Sequence, residues 1–121
     1  MPRQVLAEAH IHPAIRERVV HLHERVVQEV QAAIRQHDVV VVGMRQNPYP
    51  RKARSSLDAA GIVYHYLEHG SYFSDWRPRT ALKMWSGWPT FPMVFVKGTL
   101  VGGADDLKKL IDSGELATML R

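Results

Sequence analysis

From Pro13 to about Gln36 the apolar positions of PAIRERVVHLHERVVQEVQAAIRQ return in steps of three and four. They are Ile15, Val19, Leu22, Val26, Val30 and Ala33. That period stacks them along one side of an amphipathic α-helix and leaves the charged residues on the other. Pro13 suits the first turn, where a missing N–H costs nothing. After Asp38 the pattern changes to VVVV, a continuous β-branched run of the kind that forms a strand covered on both faces. Pro48 or Pro50 then opens a helix that runs to about Ala60 and stops at Gly61. IVYHYLE (62–68) reads as the next strand. Asp75 is an N-cap candidate for a helix from about Trp76 to Ser86. FPMVFVKG and TLVGG form a hairpin around Lys97-Gly98. Asp105 is the expected cap of a helix over DDLKKLIDS, and GELATMLR adds a last turn or two.

The order α–β–α–β–α–β–β–α predicts an α/β domain. Its first strand–helix–strand unit should pair in parallel with a right-handed crossover, giving a small four-stranded mixed sheet flanked by helices. No repeat, low-complexity tract or linker divides the 121 residues, so one domain is expected. Sixteen Lys and Arg against twelve Asp and Glu leave a formal charge of +4, dense only in RKAR at 51–54. Without a basic stripe interleaved with aromatics, nucleic acid is not an expected partner, whereas small anionic ligands suit the charge. No run approaches the roughly 18 apolar residues of a membrane span, and MPRQVLAEAH lacks the apolar core of a signal peptide. The reading is a cytoplasmic protein with no membrane partner.

The absence of cysteine changes the chemistry most. It excludes disulfides, thiolate metal sites and thiol nucleophiles, and leaves the redox compartment undetermined. Histidines do not fill the gap. His21 and His23 are two apart on a helix and point about 200° from each other, and His10 and His12 precede the helix, so no metal site is expected. Ser55 and Ser56 fall inside a helix without the strained elbow of a serine hydrolase, and His65 alternates with tyrosines on a strand. No nucleophile, base and orienting group come together.

With the elements ordered, two motifs carry a resemblance. WPTFPMVFVKGTLVGGADDL (88–107) resembles the second half of a glutaredoxin, most of all the monothiol kind, with its WP-T-[FY]-P, strand, turn and GG-x-D. The trailing SGELATML resembles how such chains end. VVVVGMRQNPYPRKA (39–53) aligns without a gap to the dithiol segment VVVF-x-K-x-x-CPYC-x-K/R-A. The resemblance covers roughly 38–120 and implies a thioredoxin-like, glutaredoxin fold over 38–121, preceded by an N-terminal segment and amphipathic helix at 1–37.

The resemblance also implies a site. Pro92 would be the cis-proline facing the active-site loop. Phe91 would offer its backbone N–H and C=O to an extended peptide, which in glutaredoxins is glutathione. Thr90 belongs to the same turn, and Gly102 and Gly103 allow close backbone approach. Ala104 and Asp105 would receive the γ-glutamyl carboxylate on free N–H groups and the ammonium on the Asp side chain. Arg79 stands where monothiol glutaredoxins carry an arginine for the glycyl carboxylate. The family lysine is replaced by Met44, with Arg45 beside it as a substitute. Asn47 and Pro50 occupy the cysteine positions.

An amide neither ionises nor bonds reversibly to sulfur, so thiol–disulfide exchange and a glutathione-bridged iron–sulfur cluster are not expected, and no catalytic residue is assigned. NPYP is then either an inherited loop serving only to start a helix, or a loop that still contacts a ligand. Three functions follow as expectations. The first is a non-catalytic glutaredoxin-like protein holding glutathione, or a similar small anionic peptide, without a required cofactor. The second is an interaction module using the groove or the long first helix for a protein partner or a homodimer. The third is a thiol-free auxiliary subunit in redox or iron–sulfur homeostasis. The first turns of that helix, Pro13 to Leu22, extend beyond the domain and either fold over the sheet as extra core or offer Val19, Leu22 and Val26 to a partner or a second copy.

Overall fold

A computed structural model of the chain describes residues 3–20, 24–45, 47–69 and 76–121. After a 3-10 turn at Glu8–His10 the elements are α1 (Pro13–Val20), α2 (Glu24–Gln36), β1 (Val39–Gly43), α3 (Pro48–Ala59) and β2 (His65–Glu68). Then come α4 (Trp76–Ser86), β3 (Met93–Val96), β4 (Thr99–Gly102), α5 (Ala104–Ser113) and α6 (Glu115–Met119). The strands form one sheet in the order β2-β1-β3-β4. β1 runs parallel to β2, with Val40 opposite His65, and antiparallel to β3, with Val40 opposite Phe95. This is the thioredoxin-like arrangement expected from the sequence.

Four consecutive valines make β1 the centre of the molecule, because a strand alternates its side chains between the two faces of the sheet. Val40 and Val42 join Met93, Phe95, Val30 and Leu82 in one core, under α2 and α4. Val39 and Val41 join Val94, Val96, Leu57 and Leu107 in the other, under α3, α5 and α6. The β3–β4 turn is Lys97-Gly98 as expected, and both residues sit at positive φ (48° and 81°). That is the conformation a two-residue hairpin needs to match the strand twist.

Two expectations change. The second strand begins at His65, not Ile62. Gly61 is left-handed (φ 69°) and the Ile62 N–H donates to the Leu57 carbonyl at 3.0 Å, so this stretch still closes α3. Val63 consequently lies 89% exposed, while Ile62 and Tyr64 pack against the core without joining the ladder. The predicted 13–36 helix is represented by α1 and α2. Among the described side chains, Val26, Val27, Val30, Ala33 and Ile34 of α2 meet the first core, while Ile15 of α1 is exposed. Val26, offered above to a partner, is partly buried and packs against that core. Leu22, His21, His23, Asp75 and the Val19 side chain lie outside the described residues.

Candidate functional site

NPYP follows β1 after residues 44–46, and three of its residues have a local structural reason. Asn47 is extended and its Oδ1 accepts from the Tyr49 N–H at 3.0 Å, which caps α3. Pro48 fills the first helical position. Pro50 is buried beneath β1, where Gly43 leaves room for it. A Cβ on Gly43 would stand 2.7 Å from both Pro50 Cβ and the Tyr66 hydroxyl. Pro50, which the resemblance sets at the second cysteine position, is thus a packing residue.

Asn47 also reaches across the site. Its Nδ2 donates to the Phe91 carbonyl at 3.3 Å, joining segments 44 residues apart. Phe91-Pro92 is a cis peptide, as expected, with both residues buried and Thr90 exposed before them. Gly103 stands next to this turn: a Cβ there would lie 3.7 Å from the Pro92 carbonyl oxygen and 3.8 Å from Trp88 Nε1. The structure therefore brings Asn47, Phe91, Pro92 and Gly103 together. It also places a buried indole N–H of Trp88, without a hydrogen-bond partner among the described residues, at the same spot. In the sequence Trp88 stands out only as the first residue of the WPTFP motif, and nothing besides that motif flags its N–H.

The start of α5 differs in its cap. Gly103, not Asp105, is the N-cap, and its N–H donates to Asp106 Oδ2 at 3.0 Å. Asp106 is the third helical residue, and only from there can a carboxylate turn back onto the cap. Asp105 is left exposed, beside the first-turn N–H groups of a helix that have no partner within it. Asp106→Ala should therefore cost about 1 kcal/mol in urea denaturation, and Asp105→Ala less than about 0.5. Equal losses would contradict this assignment.

The cations separate. Met44 is buried, and Arg79 Nη1 lies 3.7 Å from its Sδ, so Arg79 reaches the position where the resemblance would place a lysine. Arg45 turns elsewhere, with Nε 3.7 Å from Glu68 Oε2 and its side chain 75% exposed. Glu68 also accepts from the Tyr66 hydroxyl at 3.2 Å. Burial first, and then the charge of Glu68, pushes that phenol up to about 12, against the opposing pull of Arg54. The Arg54 guanidinium lies 4.0 Å over the same ring. Tyr66 is thus a neutral hydrogen-bond donor at any ordinary pH. Among the described residues no three His, Asp or Glu side chains converge as metal ligands.

Residues 39–101 match the family model for glutaredoxin, which is more than half of the chain. The chain belongs to the glutaredoxin family. It is 46% identical over 99 residues to a glutaredoxin-like protein of Dictyostelium discoideum, covering 82% of this chain and 80% of that one. It is 36% identical over 83 residues to the bifunctional monothiol glutaredoxin-S16 of Arabidopsis thaliana, covering 66% of this chain but only 28% of that longer protein. Among solved structures it is similar to a buckwheat glutaredoxin–glutathione complex, with a TM-score of 0.67 and 25% identity over 80% of this chain and 88% of that one. Within this family the chain is a cysteine-free form, with an asparagine and a proline where the resemblance places the thiols.

Proposed function

We propose that this glutaredoxin-like protein is non-catalytic and holds glutathione, or a peptide like it, without forming a covalent bond. The observation that carries the reading is the convergence of Asn47 on the Phe91-Pro92 turn beside Gly103. An amide stands where the resemblance places the thiol, and the cis-proline turn with Gly103 beside it supports a binding groove. The Phe91 carbonyl accepts one bond from Asn47 and retains a second lone pair for a ligand. The Ala104 and Asp105 N–H groups suit a carboxylate, and the exposed Asp105 side chain suits the ammonium beside it. Arg79, beside Met44, suits the second carboxylate. Thr90 completes the turn from the solvent side. Arg45 contributes only if it leaves Glu68.

The glutathione bound to the buckwheat relative supports the same ligand class here. Calorimetry with reduced and oxidised glutathione tests the proposal. Binding in the millimolar range or tighter is expected, weakened about tenfold by Asp105→Ala, which corresponds to one charge-assisted contact. Heat absent at millimolar ligand, or an affinity indifferent to Asp105→Ala, would sink it.

A further inference from the structure

α3 and α5 lie side by side on one face of the sheet, and a seam runs between them. Its first part is a cleft of ≈ 600 Å³ lined among others by Tyr49, Arg51, Lys52, Ser55, Asp105 and Lys108. A second cleft of ≈ 440 Å³ shares Ser55, Ser56 and Lys108 with it and continues past Ala59 and Ile111 to Asp112. Residue numbers rise together on both helices along this line, so the seam is a single straight track. From Pro48 to Ala60 it measures about 18 Å at the helical rise of 1.5 Å per residue. An extended peptide of about five residues spans that length.

The charge along the track is uneven. At the NPYP end three cations, Arg51, Lys52 and Lys108, face a single acid, Asp105. Arg51 and Lys52 are exposed, and Lys52 lies 5.5 Å over the ring of half-exposed Tyr49. Spacing of four places Ser55 and Ser56 one turn beyond each cation, on the same side of α3. Lys108 is already held by Asp112 at 2.8 Å. Beyond it the lining turns to Ala59, Ala60 and Ile111. The cationic end is also the end that touches the proposed groove, because Ala104 and Asp105 line both.

We propose that the α3–α5 seam is a docking track for an extended peptide segment of a partner protein, acidic at the end nearest Asp105 and apolar beyond. The inference rests on the groove reading for its starting point and goes past it: the occupant is longer than a tripeptide. Its acidic residues meet Arg51 and Lys52, and its small apolar residues lie against Ala59 and Ile111. A single small anion would use only the first cleft.

Nitrogen-15 NMR titration of the full chain with the synthetic peptide acetyl-Asp-Glu-Asp-Ala-Leu-amide tests the proposal. Saturable shifts are expected at 51–60 and 104–112, with none for the counterpart acetyl-Lys-Lys-Lys-Ala-Leu-amide. The double substitution Arg51→Glu with Lys52→Glu, both at exposed positions, should weaken the acidic peptide about tenfold or more. Lys97→Glu, on the β3–β4 turn, should leave it unchanged. Shifts scattered over all lysines, equal loss with Lys97→Glu, full displacement by equimolar inorganic phosphate, or no shift in the seam would each overturn the proposal. Glutathione titrated into the same sample separates the two readings. Its failure with peptide binding intact defeats the groove alone, and the converse defeats the seam alone.

Discussion

Asn47→Cys should give this protein a reaction it cannot perform. The new thiol would stand at the N-cap of α3, where Asn47 now accepts from the Tyr49 N–H. A helix N-terminus stabilises a thiolate, so its pKa should fall below the ordinary value of about 8.5. With oxidised glutathione, that thiolate would attack one sulfur of the disulfide. A protein–glutathione mixed disulfide forms, and one glutathione thiolate leaves. Intact mass spectrometry should find one glutathione added to Asn47→Cys and none to the unmodified chain. The chain supplies no second thiol, position 50 being a buried proline, so in excess oxidised glutathione the adduct should accumulate. Loss of the asparagine cap should cost about 1 kcal/mol, too little to unfold a typical domain. A thiol in the folded variant that titrates near 8.5 and takes up no glutathione would mean that the loop has lost the geometry of a redox site along with its cysteines.

The second large effect is structural. Leu57→Ala should destabilise the fold by about 2–5 kcal/mol in urea denaturation. Leu57 is fully buried in the core shared with Val39, Val41, Val94, Val96 and Leu107, where α3 and α5 meet the sheet. Truncating it leaves a cavity that this close-packed neighbourhood cannot fill. Val63→Ala, six residues on, removes an equally apolar side chain that is 89% exposed, and should stay within about 0.5 kcal/mol. Losses of similar size at both positions would contradict the core assignment.

What the sequence made legible follows from how far each signal reaches along the chain. VVVV, the Asn47-Pro48 helix start, the Lys97-Gly98 turn and the hydrophobic stripe of α2 are local patterns, and each falls where expected. The cis Phe91-Pro92 turn comes through the resemblance, whereas the approach of Gly103, eleven residues from Pro92, follows from the β3–β4 hairpin between them. Ile62, Val63 and Tyr64 are β-favouring residues, so the sequence pattern starts the second strand three residues before the ladder does. What excluded them from the ladder is the left-handed Gly61 and the return of the Ile62 N–H to Leu57. Asp105 and Asp106 are adjacent and chemically identical, so composition could not say which one caps α5; position in the first turn decides it. The partnership of Arg45 with Glu68 and the bond from Asn47 to Phe91 are contacts across the fold, and only the folded chain contains them.

NPYP carries the clearest lesson about the site. Its residues serve a helix cap and a buried proline, yet the Asn47 amide also bonds to the carbonyl of the cis-proline turn. A pure helix start has no use for that second bond. The direct measurement is a titration of the unmodified protein with reduced glutathione, followed by NMR of the backbone amides. Saturable shifts at Asn47, Phe91, Ala104 and Asp105, with no change in protein mass, are the result expected of a non-covalent groove. Unmoved amides at these four positions with millimolar glutathione would contradict it.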